Sequence, residues 1–123
     1  MGGDLLGDLL RQVSRSFYLS LAVLPRPLRE PIGLAYLLAR AADTVADTRL
    51  IKREERLGHL ETLRRACAGE AVDVGALARA CAPQHAPAER VLLERVGEAL
   101  VRVETLAPAD RHEVRAVLAT LTS

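Results

Sequence analysis

Residues 34–47 read Leu-Ala-Tyr-Leu-Leu-Ala-Arg-Ala-Ala-Asp-Thr-Val-Ala-Asp. Apart from the small Thr44, every position is apolar except Tyr36, Arg40, Asp43 and Asp47, which follow one another at i, i+4, i+7 and i+11. At about 100° per residue these four fall within a sector of roughly 60°, one narrow polar stripe on an otherwise oily helix. A helix that is oily on most faces is a buried helix. Its polar stripe must then face a cavity, a metal or another polar helix, because unpaired buried charge is very costly. Upstream, Pro25-Arg26-Pro27 forces a turn, since proline fixes φ and disfavours helix in the residue before it. With Pro31 held in the first turn, the helix starts near Leu28 and runs to about Asp47.

Segments on either side repeat the helical period. Leu5, Leu6, Leu9, Leu10 and Val13 share one face of a stretch covering Asp4–Val13, and an apolar segment, Phe17–Leu24, follows the break at Ser14-Arg15-Ser16. Leu57, Leu60, Leu63 and Cys67 mark an amphipathic helix from Lys52 to Cys67, ended by Gly69; its charged start, Lys52–Arg56, is a solvated face. Asp73 caps a short helix reaching Cys81, and Pro83–Pro87 is a loop. Ala88–Leu106 reads as one further helix, and Pro108 opens a last one through Leu121. With 123 residues, 50% hydrophobic and 2% aromatic, the composition favours helix formers over strand formers. The expectation is all-α, with residues 1–123 forming a single helical domain.

Charge excludes one class of partner. Seventeen Lys+Arg against sixteen Asp+Glu leave a net +1 with no basic block, so nucleic acid is not expected. The Met1–Leu10 start carries Asp where a signal peptide carries Lys or Arg, and the longest clean apolar run, Ile32–Ala39, is far below the ~20 residues of a membrane span. Cys67 and Cys81 lack CxxC spacing and a nearby His, which fits a reduced, cytoplasmic setting with both as plain thiols. His59, His85 and His112 are dispersed on surface positions or loops, where solvent exposure is the ordinary state.

Two carboxylates one turn apart, Asp43 and Asp47, suit a hard divalent cation. Mg²⁺ takes oxygen ligands, keeps several waters, and is held by one or two carboxylates plus phosphate oxygens. Arg40, one turn away, adds a donor fork matched to the same phosphate. The plainer alternative is an Arg40–Asp43 pair at i+3 closing a buried polar layer.

Ser14-Arg15-Ser16-Phe17, about twenty residues, then Tyr36-x-x-x-Arg40-x-x-Asp43-x-x-x-Asp47, resembles the N-terminal part of the squalene/phytoene synthase family, the head-to-head prenyltransferases. The resemblance runs from Val13 to Thr48; beyond that only a compatible helical pattern remains. It implies the N-terminal part of an isoprenoid-synthase-type fold around a deep apolar cavity. In that family two prenyl diphosphates, of the farnesyl or geranylgeranyl class, condense through a cyclopropyl intermediate, with Mg²⁺ holding the diphosphates. Carried over, Asp43 and Asp47 match the first aspartate-rich motif and would ligate Mg²⁺. Tyr36 and Arg40 match the residues that contact diphosphate and the reacting centre, and both would be catalytic and substrate-binding. Ser14, Arg15 and Ser16 match the flap beside the diphosphate, and Phe17 the aromatic near the cavity mouth. Leu21, Leu24, Leu34, Leu37, Leu38 and Val45 would serve as cavity wall or ordinary core.

Family members are more than twice this length and carry a second aspartate-rich motif facing the first; after Thr48 no second Asp-x-x-x-Asp occurs, and Glu94, Glu98 and Glu104 lie on surface-type helices. The chain is therefore expected to be an incomplete domain of this type, inactive alone, with an uncovered apolar face that favours self-association or a complementing chain. Peripheral membrane contact, without a spanning segment, is compatible with prenyl substrates. The rival expectation is a non-catalytic helical assembly factor, or one subunit of a split synthase.

Overall fold

A computed structural model describes residues 5–121. Every regular element among them is helical, in agreement with the all-α expectation. A π-helical turn, Leu5–Leu9, runs into α1, Leu10–Val13; there follow α2, Arg15–Ala22, α3, Arg26–Ala46, and α4, Arg53–Cys67. Next come α5, Gly75–Cys81, a 3₁₀ turn, Ala82–Gln84, then α6, Pro87–Glu94, α7, Val96–Glu104, and α8, Pro108–Leu121.

The long helix α3 is the hub. It packs against the π turn and against α2, α4, α6, α7 and α8. Leu34, Leu37, Leu38, Ala41 and Val45 are among its buried residues, and Leu9, Leu10, Leu63, Leu77, Leu92, Leu93 and Leu118 close around them. Each fully buried leucine contributes about 1.5–3 kcal/mol relative to exposure. Leu21 joins this core and Leu24 packs partly against it. The seam between α3 and α8 leaves Leu28, Ile32 and Val117 exposed beside Pro31 and Val114.

Several boundaries differ from the sequence reading: α2 takes in Arg15 and Ser16, read as part of a break, and ends at Ala22 rather than Leu24, and part of the Pro83–Pro87 loop is a 3₁₀ turn. Helix α3 begins at Arg26, not near Leu28: Pro25 is its N-cap and Pro27 falls in the first turn, where a missing N–H has no partner to lose. Pro31 then lies inside the helix. Only the carbonyl of Pro27 forfeits a bond, and Pro27 is exposed to water. Arg29 secures this start, its guanidinium donating to the carbonyls of Leu24 (2.9 Å) and Ala22 (2.8 Å). The single helix read over Ala88–Leu106 is two, α6 and α7, parted at Arg95 (φ −104, ψ 10). The bend re-aims the apolar stripe, so that Leu92 and Leu93 before it and Val96, Ala99 and Val103 after it are all buried.

The stop at Gly69 acts as read, whereas the cap residue of α5 is Val74 and not Asp73. Gly69 has φ +99, and the N–H groups of Gly69 and Glu70 donate to the carbonyls of Ala66 and Arg65, a Schellman closure of α4. The Asp73 carboxylate accepts the Gly75 N–H at 2.8 Å at the head of α5.

Both cysteines are buried free thiols. Burial pushes Cys67 from its usual value near 9 up to about 11. The folded chain therefore keeps a proton that the unfolded chain releases above pH 9. Its contribution is complete below pH 9 and is lost as pH rises toward 11, about 2–3 kcal/mol in all. Urea unfolding at pH 8 and pH 10.5 should show this loss, and Cys67→Ala should flatten it; equal pH dependence in both proteins would refute the assignment.

Candidate functional site

The lower half of the α3 stripe opens on a pocket of about 490 Å³ between the end of α3 and the start of α6. One wall carries Arg40, Asp43, Thr44, Ala46 and Asp47; the other carries His85, Ala86 and Glu89. Asp43 and Asp47 are exposed, and among the described residues neither carboxylate has an ion-pair or hydrogen-bond partner. Two adjacent acids are tolerable here because water reaches both.

Arg40 does not pair with Asp43. Its Nη2 donates to Glu89 Oε1 at 3.2 Å, across to α6, with side chains 39% and 23% exposed. The i+3 layer considered from sequence is thus replaced by a contact 49 residues apart. Glu89 lies in the first turn of α6, behind Pro87, where the helix N-terminus favours an anion.

Threonines set the pocket floor. Thr44 Oγ1 donates to the Arg40 carbonyl and Thr48 Oγ1 to the Thr44 carbonyl, each at 2.9 Å. The Thr48 oxygen also lies 2.7 Å from His85 Nε2, a hydrogen bond that ties the imidazole to the end of α3. His85 is therefore not the exposed histidine expected from sequence: it is half-buried in the pocket wall, and Thr48, itself buried, is the reason. His112 is exposed and His59 half-buried.

The upper half of the stripe meets α2. Phe17 and Tyr36 stack with ring centroids 4.0 Å apart and planes 11° from parallel. Ser14 makes this register: it is the N-cap of α2, and its hydroxyl accepts the Phe17 N–H at 3.2 Å. Arg15 and Ser16 stay on the surface and do not line the pocket. So two groups form: Phe17 against Tyr36, and Arg40, Asp43 and Asp47 facing Glu89 and His85. Glu89 and His85 were not legible in advance, since they belong to a turn and a helix start with no motif. A shared apolar period carries no information about which residue will face α3.

Among the described residues no group of three or more His, Cys, Asp or Glu side chains could hold a metal ion. Asp43 and Asp47 make a two-carboxylate pair, the donor set that suits a cation completing its shell with water and phosphate oxygens.

The squalene/phytoene synthase profile matches residues 10–121, well beyond the Val13–Thr48 stretch that carries the motif. The chain belongs to the squalene/phytoene synthase family. A curated relative, the bifunctional lycopene cyclase/phytoene synthase of Blakeslea trispora, is 37% identical over 57 residues, covering 46% of this chain and 9% of that protein. No solved structure gives a significant match. No helix of the described residues is long and apolar enough to cross a membrane.

The exposure of Asp43 and Asp47 has a direct consequence for stability. Asp43→Asn and Asp47→Asn should each change unfolding free energy by no more than about 0.5 kcal/mol. A loss of roughly 3–5 kcal/mol in urea titrations would instead mark a buried structural pair.

Proposed function

We propose that this chain provides one wall of a site that joins two prenyl diphosphates head to head, with magnesium-assisted loss of diphosphate. One observation carries the reading: in a member of this family, two unpartnered carboxylates and an arginine emerge together from a buried helix into an open pocket. The pair Asp43 and Asp47 would hold Mg²⁺, whose contribution when bound is to neutralise the leaving diphosphate. Arg40 supplies planar N–H donors to the same phosphate oxygens. Ionising an allylic diphosphate separates charge, so preorganised donors at the leaving group lower the barrier. The Phe17–Tyr36 stack, one turn above Arg40, presents aromatic surface at the end where an oily chain would extend.

Ser14 acts through the register it gives Phe17, and Arg15 and Ser16 are available at the surface to approach a bound diphosphate. Residues 1–123 hold no second Asp-x-x-x-Asp, so on this reading a further helical unit facing α3 would supply the remaining acidic ligands. The exposed apolar residues along the α3–α8 seam are consistent with such pairing.

Calorimetry with Mg²⁺ and inorganic pyrophosphate tests the site: the wild-type chain should bind the two together, and Asp43→Asn or Asp47→Asn should abolish it. In an assembled, active form either substitution should lower turnover by about 10²-fold or more, near 2.7 kcal/mol of barrier. Given farnesyl or geranylgeranyl diphosphate and Mg²⁺, the 123-residue chain alone should form no prenyl product. Robust turnover by it would overturn the need for a second acidic set.

A further inference from the structure

We infer that Glu89 is a positioning residue for Arg40, holding the guanidinium by one N–H so that its remaining donors stay turned toward an incoming diphosphate. The inference rests on the diphosphate reading above and adds a residue outside the motif. Arg40 has one polar side-chain tie among the described residues, the 3.2 Å contact from Nη2 to Glu89 Oε1. A guanidinium has five N–H donors, so most of the fork is uncommitted.

Glu89 is the better-anchored partner. It is less exposed than Arg40, its carboxylate complements the N-terminus of α6, and the chain just before it is pinned twice. Thr48 Oγ1 and His85 Nε2 are hydrogen-bonded at 2.7 Å, and Arg90 Nη2 donates to the His85 carbonyl (3.3 Å). The arginine, by contrast, is a long arm on α3 that would otherwise sample many rotamers. Holding it in place before the anion arrives removes part of the ordering entropy from binding.

The sign of the effect separates this role from two simpler ones. Were Glu89 only another negative charge near the pocket, deleting it would tighten binding of an anion. Were it a metal ligand, deleting it would weaken Mg²⁺ binding in the absence of any phosphate. A positioning residue does neither.

The test is a calorimetric cycle on the full chain with Mg²⁺ and inorganic pyrophosphate, using Glu89→Gln, Arg40→Gln and the double variant. Glu89→Gln should weaken pyrophosphate binding by about tenfold, and Glu89→Ala, which removes the acceptor as well as the charge, should repeat that loss. In the Arg40→Gln background the same change should have no effect or strengthen binding. Mg²⁺ titrated alone should bind wild type and Glu89→Gln alike. Unchanged or tighter pyrophosphate binding by folded Glu89→Gln or Glu89→Ala overturns the role, as does an equal loss in the Arg40→Gln background or a shift in Mg²⁺ binding alone. Wild-type chain that binds no magnesium pyrophosphate overturns the diphosphate reading itself, and this role with it.

Discussion

One helix has to be buried on nearly every side and still let four polar side chains out. That constraint on α3 organises the rest of the molecule. Its leucines and alanines demand neighbours, and α2, α4, α6, α7 and α8 supply them. The polar stripe forbids a neighbour along one line, because an apolar partner there would strand the charge of Arg40, Asp43 and Asp47. The helices accordingly part at the end of α3, and the opening between α3 and α6 is what remains. On this view the pocket is the unfilled remainder of core packing around a helix that is only mostly apolar.

Such an opening needs a frame, and α3 is tied at both ends. At its start Arg29 binds the carbonyls that finish α2, and Arg102 of α7 donates to Glu30 at 3.0 Å. At its finish Thr48 is hydrogen-bonded to His85, and Arg56 of α4 donates to the Thr48 carbonyl at 3.3 Å. Three of these ties join segments far apart in the chain or in different helices. They fix the angle and depth at which α3 meets its neighbours, whereas apolar contact alone is non-directional. Exposed ion pairs such as Arg64–Glu61 add little to this, since solvent screens them.

What the sequence showed, and what it withheld, follows from the range of each interaction. The helix α3, its stripe, the stop at Gly69 and the start at Pro108 all depend on residues within a turn or two, and were readable. The start at Arg26 has no clear signal in the sequence, because Pro31 points to a later start; an exposed carbonyl at Pro27 makes Pro31 tolerable inside the helix. The break at Arg95 has no local signal, because the apolar period continues through it with no Gly or Pro at the bend itself. Half of the pocket was legible, the half on α3. The other half, Glu89 and His85, depends on how α6 is laid against α3, a tertiary fact with no local signature.

The pocket also imposes a sequence of events on whatever enters it. Its lining sets two unpaired carboxylates, Asp43 and Asp47, beside an Arg40–Glu89 ion pair whose charges offset each other. A polyanion arriving unaccompanied therefore approaches a mouth of its own sign, and the same field concentrates divalent cations at that mouth. If the pocket holds a metal and a diphosphate as proposed, the cation would enter first, or the two would enter as one neutralised complex. Raising monovalent salt would relax that order by screening the field over a Debye length of about 8 Å, comparable to the pocket itself. A lining that looks ill-suited to a phosphate compound would, on the proposed reading, act as a filter that favours its metal-bound form.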